Sequence, residues 1–285
     1  MNARTYPIPW RSMTRRRPAL ALLVLACSVL VACGSSGPRD ARDAPSDGSR
    51  SLVTCGRGLR GDITVSAAAS LTEAFTELGK DFEEQCEGTQ VSFTFDSSGT
   101  LSQQILDGAP ADVFASADEE NMAKLTDEEL VEGEPVVFAE NRLTIVTKPG
   151  NPEGIGSLAD LAEAGVVSLC GEDVPCGRFA ARALTAAGVT IPETSVTRGQ
   201  NAKASLTAVS EGDAVAGIVY VTDALAAGDA VTPVEIPEDQ SPMASYPVAV
   251  LTGAQDAAVA RAFVAYVSSD AGQAVLAERG FLPPS

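Results

Sequence analysis

The 285-residue chain contains no histidine. The commonest general base at neutral pH and the commonest metal ligand are therefore both missing. There is no Gly-x-Ser-x-Gly elbow, no Walker loop and no His-Glu-x-x-His helix. The usual hydrolase, nucleotidase and zinc-protease chemistries thus have no carrier. Basic residues are scarce: 20 Lys and Arg stand against 38 Asp and Glu, a net charge of −18. Such a polyanion does not bind nucleic acid by neutralising phosphates. Carboxylates are plentiful, but none are paired at a distinctive spacing, so nothing in the chain calls for an enzyme. The apolar run Ala19 to Ala32 is shorter than the about 20 residues of a membrane span.

That run does have a use. Arg4, Arg11, Arg15, Arg16 and Arg17 precede it, which is the n-region and h-region pattern of a secretory signal. It ends in Leu30-Val31-Ala32-Cys33, followed by Gly34-Ser35-Ser36-Gly37. This resembles a bacterial lipobox, with cleavage before Cys33 and lipid on its sulfur; Cys27 is the poorer candidate because apolar sequence follows it. Residues 1–32 read as signal peptide and 33–59 as the lipidated cysteine with a flexible tether rich in Gly, Ser, Pro, Asp and Arg. The expected location is the outer face of the cell membrane. Removing the signal takes five arginines and no acid, moving the charge from −18 to −23.

Cys55, Cys86, Cys170 and Cys176 then remain. In an exported chain they suggest two disulfides, with three possible pairings. Cys170 and Cys176 are close enough to clip one loop, and Cys55 with Cys86 would then tie the segment before the first strand to the end of the first helix. The competing zinc site has neither His nor a Cys-x-x-Cys pair.

Strands and helices alternate along the chain, which argues for an α/β fold with parallel sheets. Ile63 and Val65 open a strand that runs into Ala67-Ala68-Ala69-Ser70. Ser70 with Glu73 makes a capping box, and Leu71, Phe75, Leu78 and Phe82 form one apolar helix face. Glu73 is expected to turn back to the Ser70 N–H or out to solvent, leaving the Ser70 hydroxyl to face a cleft. Gln90 to Phe95 alternates as a strand and enters Ser97-Ser98-Gly99. Ala111 to Ala117 reads as a buried strand, Pro135 to Thr147 as a long β run with a polar break at Glu140 to Arg142, and Ser157 to Leu161 as a helix start. Val166 to Leu169 leads through the cysteine loop to a helix from Arg178 to Ala187. Asn201 opens another helix, Asp213 to Tyr220 is a strand, and Ser245 to Val250 is the last strand, before a helix from Ala257 to Val267. Gly56-Arg57-Gly58-Leu59-Arg60-Gly61 matches a dinucleotide motif in letters only, since it precedes the strand.

Four of these loops, at Ala69-Ser70, Ser97-Ser98, Pro175-Cys176 and Asn201-Ala202, open helices with small residues. Each offers unpaired N–H groups and a partial positive charge. Together they can hold an oxyanion without Arg or Lys. The competing reading of Ser70 and Ser98 is a helix cap, and of Tyr220 a packing residue at a strand end.

The segments Val65 to Thr72, Ser97-Ser98-Gly99-Thr100-Leu101, Gly108 to Ala117, Gly217-Ile218-Val219-Tyr220 with Asp223-Ala224, and Tyr246 to Val250 resemble the periplasmic molybdate-binding proteins of molybdate ABC transporters, in the same order over roughly residues 60 to 283. The resemblance implies a two-lobed type II periplasmic binding protein fold, each lobe a mostly parallel sheet flanked by helices, joined by two crossovers. Lobe 1 would comprise residues 60–141 and 245–285, and lobe 2 residues 142–244. It further implies an oxyanion held by Ser70 and Ser98 through hydroxyl and backbone N–H, by Tyr220 through its phenol, and by the backbone N–H of Cys176 and Ala202. Gly99 and Cys176 depart from the family pattern. The implied ligand is molybdate or tungstate, with no cofactor; the implied partner is an ABC permease, and the protein is expected to be a monomer. Sulfate as ligand, or an enzyme or interaction module reusing the fold, are the alternatives.

Overall fold

The computed structural model describes Cys55 and residues 58–285. The expected signal peptide, Cys33 and most of the tether lie outside the described residues. The first run of elements is β1 (Gly61–Ala68), a 3₁₀ turn at Ala69–Leu71, α1 (Thr72–Gln85), β2 (Thr89–Asp96), α2 (Ser98–Leu106), β3 (Val113–Ala115), α3 (Glu119–Asp127) and β4 (Val136–Asn141). The second is β5 (Leu143–Thr147), β6 (Val167–Cys170), α4 (Pro175–Ala186), β7 (Val196–Gly199), α5 (Ala202–Ser210), β8 (Ala216–Tyr220), α6 (Val221–Ala227) and β9 (Thr232–Glu235). The chain then adds β10 (Ala244–Val250), α7 (Ala257–Val267) and α8 (Asp270–Glu278).

These strands form two five-stranded sheets, ordered β2-β1-β3-β10-β4 and β7-β6-β8-β5-β9. In the first, β1 is parallel to β2 and β3, while β10 is antiparallel to both β3 and β4. In the second, β6 is parallel to β7 and β8, while β5 is antiparallel to β8 and β9. Four strands of each sheet therefore share a direction. The reversed strand in each is the one that follows a crossover: β4 passes to β5 through Arg142, and β9 returns to β10. The architecture is α/β with two mixed sheets flanked by helices.

The apolar period of α1 has the expected result. Leu71, Phe75, Leu78 and Phe82 are all fully buried. Phe75 and Phe82 meet Phe263 of α7 edge-on at 6.1 and 5.5 Å. Each such side chain stabilises the fold by about 1.5–3 kcal/mol. Cys55 is bonded to Cys86 and Cys170 to Cys176. The first bridge ties the chain entering β1 to the end of α1; the second closes the loop ahead of α4.

Five elements differ from the sequence expectation. The segment at Ser157 to Leu161 is no α-helix but a 3₁₀ turn at Ala159–Ala162. The Gly156 N–H and the Ser157 hydroxyl both donate to the Asp160 carboxylate, closing a tight local turn instead. Helix α4 begins at Pro175, three residues early, because proline suits the first helical position. Short α6, edge strand β9 with Pro233, and α8 were not anticipated; none has a long apolar period of its own.

Candidate functional site

Five helix starts converge on one pocket. It is lined by Ala69, Ser70, Ser97, Ser98, Ala117, Pro175, Cys176, Asn201, Ala202 and Tyr220, with Ala68 at its edge. All five residues expected from the sequence, Ser70, Ser98, Cys176, Ala202 and Tyr220, are in its wall. No Lys or Arg is. Its cavity volume is about 10 Å³, close to the room one water-sized sphere takes and too small for a drug-sized ligand. A larger cleft of about 250 Å³ beside Gly108–Asp112 gathers none of these helix starts. Among the described residues no cluster of Cys, Asp and Glu is placed to hold a metal ion.

Ser70 corrects one expectation. It is not an N-cap: it sits inside the 3₁₀ turn, and α1 starts two residues later without a side-chain cap. The small residues at the end of β1 let the chain tighten into that turn. The Ser70 hydroxyl instead lies 2.9 Å from the Tyr246 hydroxyl, and Asn141 Nδ2 donates to Tyr246 over 3.4 Å. Whichever of the two hydroxyls donates, the bond to Tyr246 fixes the Ser70 hydroxyl in the pocket wall. Glu73 also departs from expectation. It neither turns back to Ser70 nor hangs in solvent, but holds Lys203 of α5 at 2.7 Å.

The second start divides its labour between two serines. Ser97 caps α2, accepting from the Thr100 N–H at 3.1 Å. Ser98 is therefore relieved of capping. Its hydroxyl accepts from the Ala117 N–H at 2.9 Å, and its own proton has no acceptor among the described residues.

The third start is built by the Cys170–Cys176 bridge. Gly177 and Arg178 donate to the Val174 carbonyl, which leaves the Cys176 amide at the pocket wall. Only glycine fits next to it: a Cβ on Gly177 would lie 1.9 Å from the Gly171 carbonyl oxygen. At the fourth start Asn201 caps α5 through the Ala204 N–H, so the Ala202 amide is a free first-turn donor.

Tyr220 ends β8 and begins α6, a fifth helix start that the sequence presented only as a strand end. Its N–H is held by Asp223 Oδ2 at 3.2 Å. Its hydroxyl is buried and has no hydrogen-bond partner among the described residues; the neighbouring Tyr246 hydroxyl is already engaged with Ser70 and Asn141. Burial, reinforced by Tyr246, Asp118 and Asp223, pushes the Tyr220 hydroxyl well above the usual tyrosine range. At neutral pH it is thus a donor. A buried donor with no partner is costly, so an anion in the pocket would meet a group that needs it.

The arrangement is a set of hydroxyl and amide donors with no cation and no nucleophile. Such a set can bind an oxyanion. Residues 63–282 match the family model for bacterial extracellular solute-binding proteins. The chain belongs to that family. As a solute-binding protein it is 40% identical over 260 residues to the molybdate-binding protein ModA of Mycobacterium tuberculosis, covering 90% of this chain and 93% of that one. It is 31% identical to the molybdate-binding protein ModA of Escherichia coli, covering 81% and 93%. Among solved structures, the periplasmic molybdate-binding protein of Azotobacter vinelandii superposes with a TM-score of 0.70 at 20% identity, covering 78% of this chain and all of that one. The sulfate-binding protein SubI of M. tuberculosis also gives 0.70, at 22% identity and 79% and 87% coverage. At these identities the two structures share the fold. Like its relatives, this chain is a transport binding protein and not an enzyme.

Sequence reasoning missed Asn141 and Tyr246, which orient Ser70, and the bond from Asn201 Nδ2 to Asp96 at 2.9 Å. Asn141 lay in the polar break of the long β run and Tyr246 in the last strand; neither position signals a partner more than 100 residues away.

Proposed function

We propose that this protein captures molybdate, and tungstate with it, between two lobes and delivers it to an ABC permease. Lobe 1 is residues 60–141 with 245–285, lobe 2 is residues 142–244, and the crossovers at Arg142 and between β9 and β10 are the hinge. Ser70, Ser98 and Tyr220 donate hydroxyl protons, and Ser70, Ser98, Cys176 and Ala202 donate backbone N–H. The observation that carries this reading is the buried, unpartnered Tyr220 hydroxyl in a pocket walled by four further helix starts. Names of the relatives supply the ion. A wall of donors suits a fully deprotonated dianion, and leaves the proton of hydrogen phosphate without an acceptor. Sulfate meets that condition too, so cavity size must reject it. The lipid on Cys33 holds the protein, a monomer, at the outer face of the membrane, and the closed form is the one the permease recognises.

A thermal-shift panel of molybdate, tungstate, sulfate and phosphate tests this. Ligand at 100 times its Kd stabilises by about 2.7 kcal/mol, or about 5–10 °C for a domain of this size. Molybdate and tungstate should give such shifts. Equal shifts from all four anions would remove the selectivity claim, and none from any would remove the function.

A further inference from the structure

Charged residues sit one to three positions beyond residues of the pocket wall, and all the cations among them lie beside the second sheet. Lys203 follows Ala202 on α5 and Arg178 lies two past Cys176 on α4, both beside the second sheet. Glu73 lies three past Ser70 on α1 and Asp118 follows Ala117 ahead of α3, both beside the first. The opposite charges meet across the pocket. Lys203 Nζ is 2.7 Å from Glu73 and 3.6 Å from Asp223 Oδ1 on its own side. Arg178 pairs with Asp118, and its Nε is 3.2 Å from Glu120. Asn201 and Asp96 add a neutral-to-charged hydrogen bond between the same two sides.

We propose that Arg178 and Lys203 are positioning residues that hold the two lobes shut on the bound anion, each engaging a lobe 1 carboxylate only when the cleft closes. The inference rests on the reading of the pocket as an oxyanion site. Neither cation lines the pocket, so neither acts by touching the ligand. Opening the cleft would withdraw Glu73, Asp118 and Glu120 from their partners, and would leave lobe 2 with Lys203 beside Asp223 alone and Arg178 without a carboxylate. The Arg178–Asp118 pair has side chains 19% and 8% exposed, and such a pair is screened less than a surface one. Because the donors and the charges share helix ends, closing the ion pairs also brings both sets of donors to the anion.

A simple field argument predicts the opposite sign for two substitutions. Glu73 and Glu120 are negative charges near a dianion, so removing either should tighten binding if the field alone mattered. If they close the cleft, Glu73→Gln and Glu120→Gln should each release the anion faster. Both carboxylates are partly exposed, at 38% and 57%, and lie on different helices, so each variant tests the idea separately. The experiment is the release rate of labelled molybdate from the mature protein, chased with unlabelled molybdate, at low and high sodium chloride. Each single variant should release about fivefold faster, the yield of a partly buried pair, and the double variant should lose most of the salt acceleration seen in the wild type. Unchanged or slower release from both variants, with the wild type binding normally, overturns this inference alone. A wild type that binds no molybdate overturns the oxyanion reading and this inference with it.

Discussion

Replacing Tyr220 by Phe should separate binding from stability, with the two moving in different directions. The ring stays: it packs edge-on against Tyr246 at 5.9 Å and is fully buried. Only the hydroxyl leaves, and that atom has no hydrogen-bond partner among the described residues. If it donates to the anion, its loss removes a hydrogen bond to a charged group, about 1.5–3 kcal/mol. The Kd for molybdate should then rise about 10- to 150-fold. Stability should not follow. An unpartnered buried hydroxyl costs about 1–3 kcal/mol, so the ligand-free variant should melt at the wild-type temperature or above it. Titration calorimetry gives the first quantity and scanning calorimetry of ligand-free protein the second. A Kd within twofold of wild type would refute the donor role. A Kd loss accompanied by a fall of several degrees in melting temperature would assign the hydroxyl to packing instead.

Ser98→Ala should lower stability as well as binding, because it strips the buried Ala117 N–H of its acceptor; chemical denaturation should find about 1–3 kcal/mol. Asp223 is raised from 3.8 to about 6 chiefly by burial, with Glu73 adding and Lys203 and the Tyr220 N–H opposing. A raised carboxyl favours the protonated fold, so this contribution is full below about pH 4 and is lost as pH climbs through about 6. Two units are worth about 3 kcal/mol at most. Urea unfolding should therefore show Asp223→Asn gaining on the wild type between pH 4 and pH 7, and a flat difference would contradict the assignment. Opening the Cys170–Cys176 bridge with Cys170→Ser and Cys176→Ser should weaken molybdate binding, measured by calorimetry, more than it lowers melting temperature. The loop it closes is short, so its chain entropy is worth about 2 kcal/mol, less than for a long loop, whereas the Cys176 amide is in the pocket wall.

What the sequence revealed and what it concealed divide along contact distance. The α1 face, the strand-to-helix grammar and the small residues at four helix starts are local patterns, and each appears where its period or composition placed it. Ser70 shows the limit of such patterns. The letters Ser-x-x-Glu fit a capping box, yet Tyr246, 176 residues away, takes the hydroxyl, and Lys203, 130 residues away, takes the carboxylate. Tertiary partners outbid a local bond that the sequence alone made reasonable. Tyr220 as the start of a helix was hidden because α6 has only seven residues and leaves Leu225 exposed. The crossing ion pairs were equally out of reach, since nothing in a charge pattern states which carboxylate faces which cation across a cleft.

The central claim is selective capture of a tetrahedral oxyanion by neutral donors. The most direct measurement is a calorimetric titration of the mature protein with molybdate, repeated in excess sulfate. The account predicts one site per chain, and a molybdate affinity that sulfate barely alters. Loss of molybdate binding under sulfate, or no heat from molybdate in its absence, would contradict it.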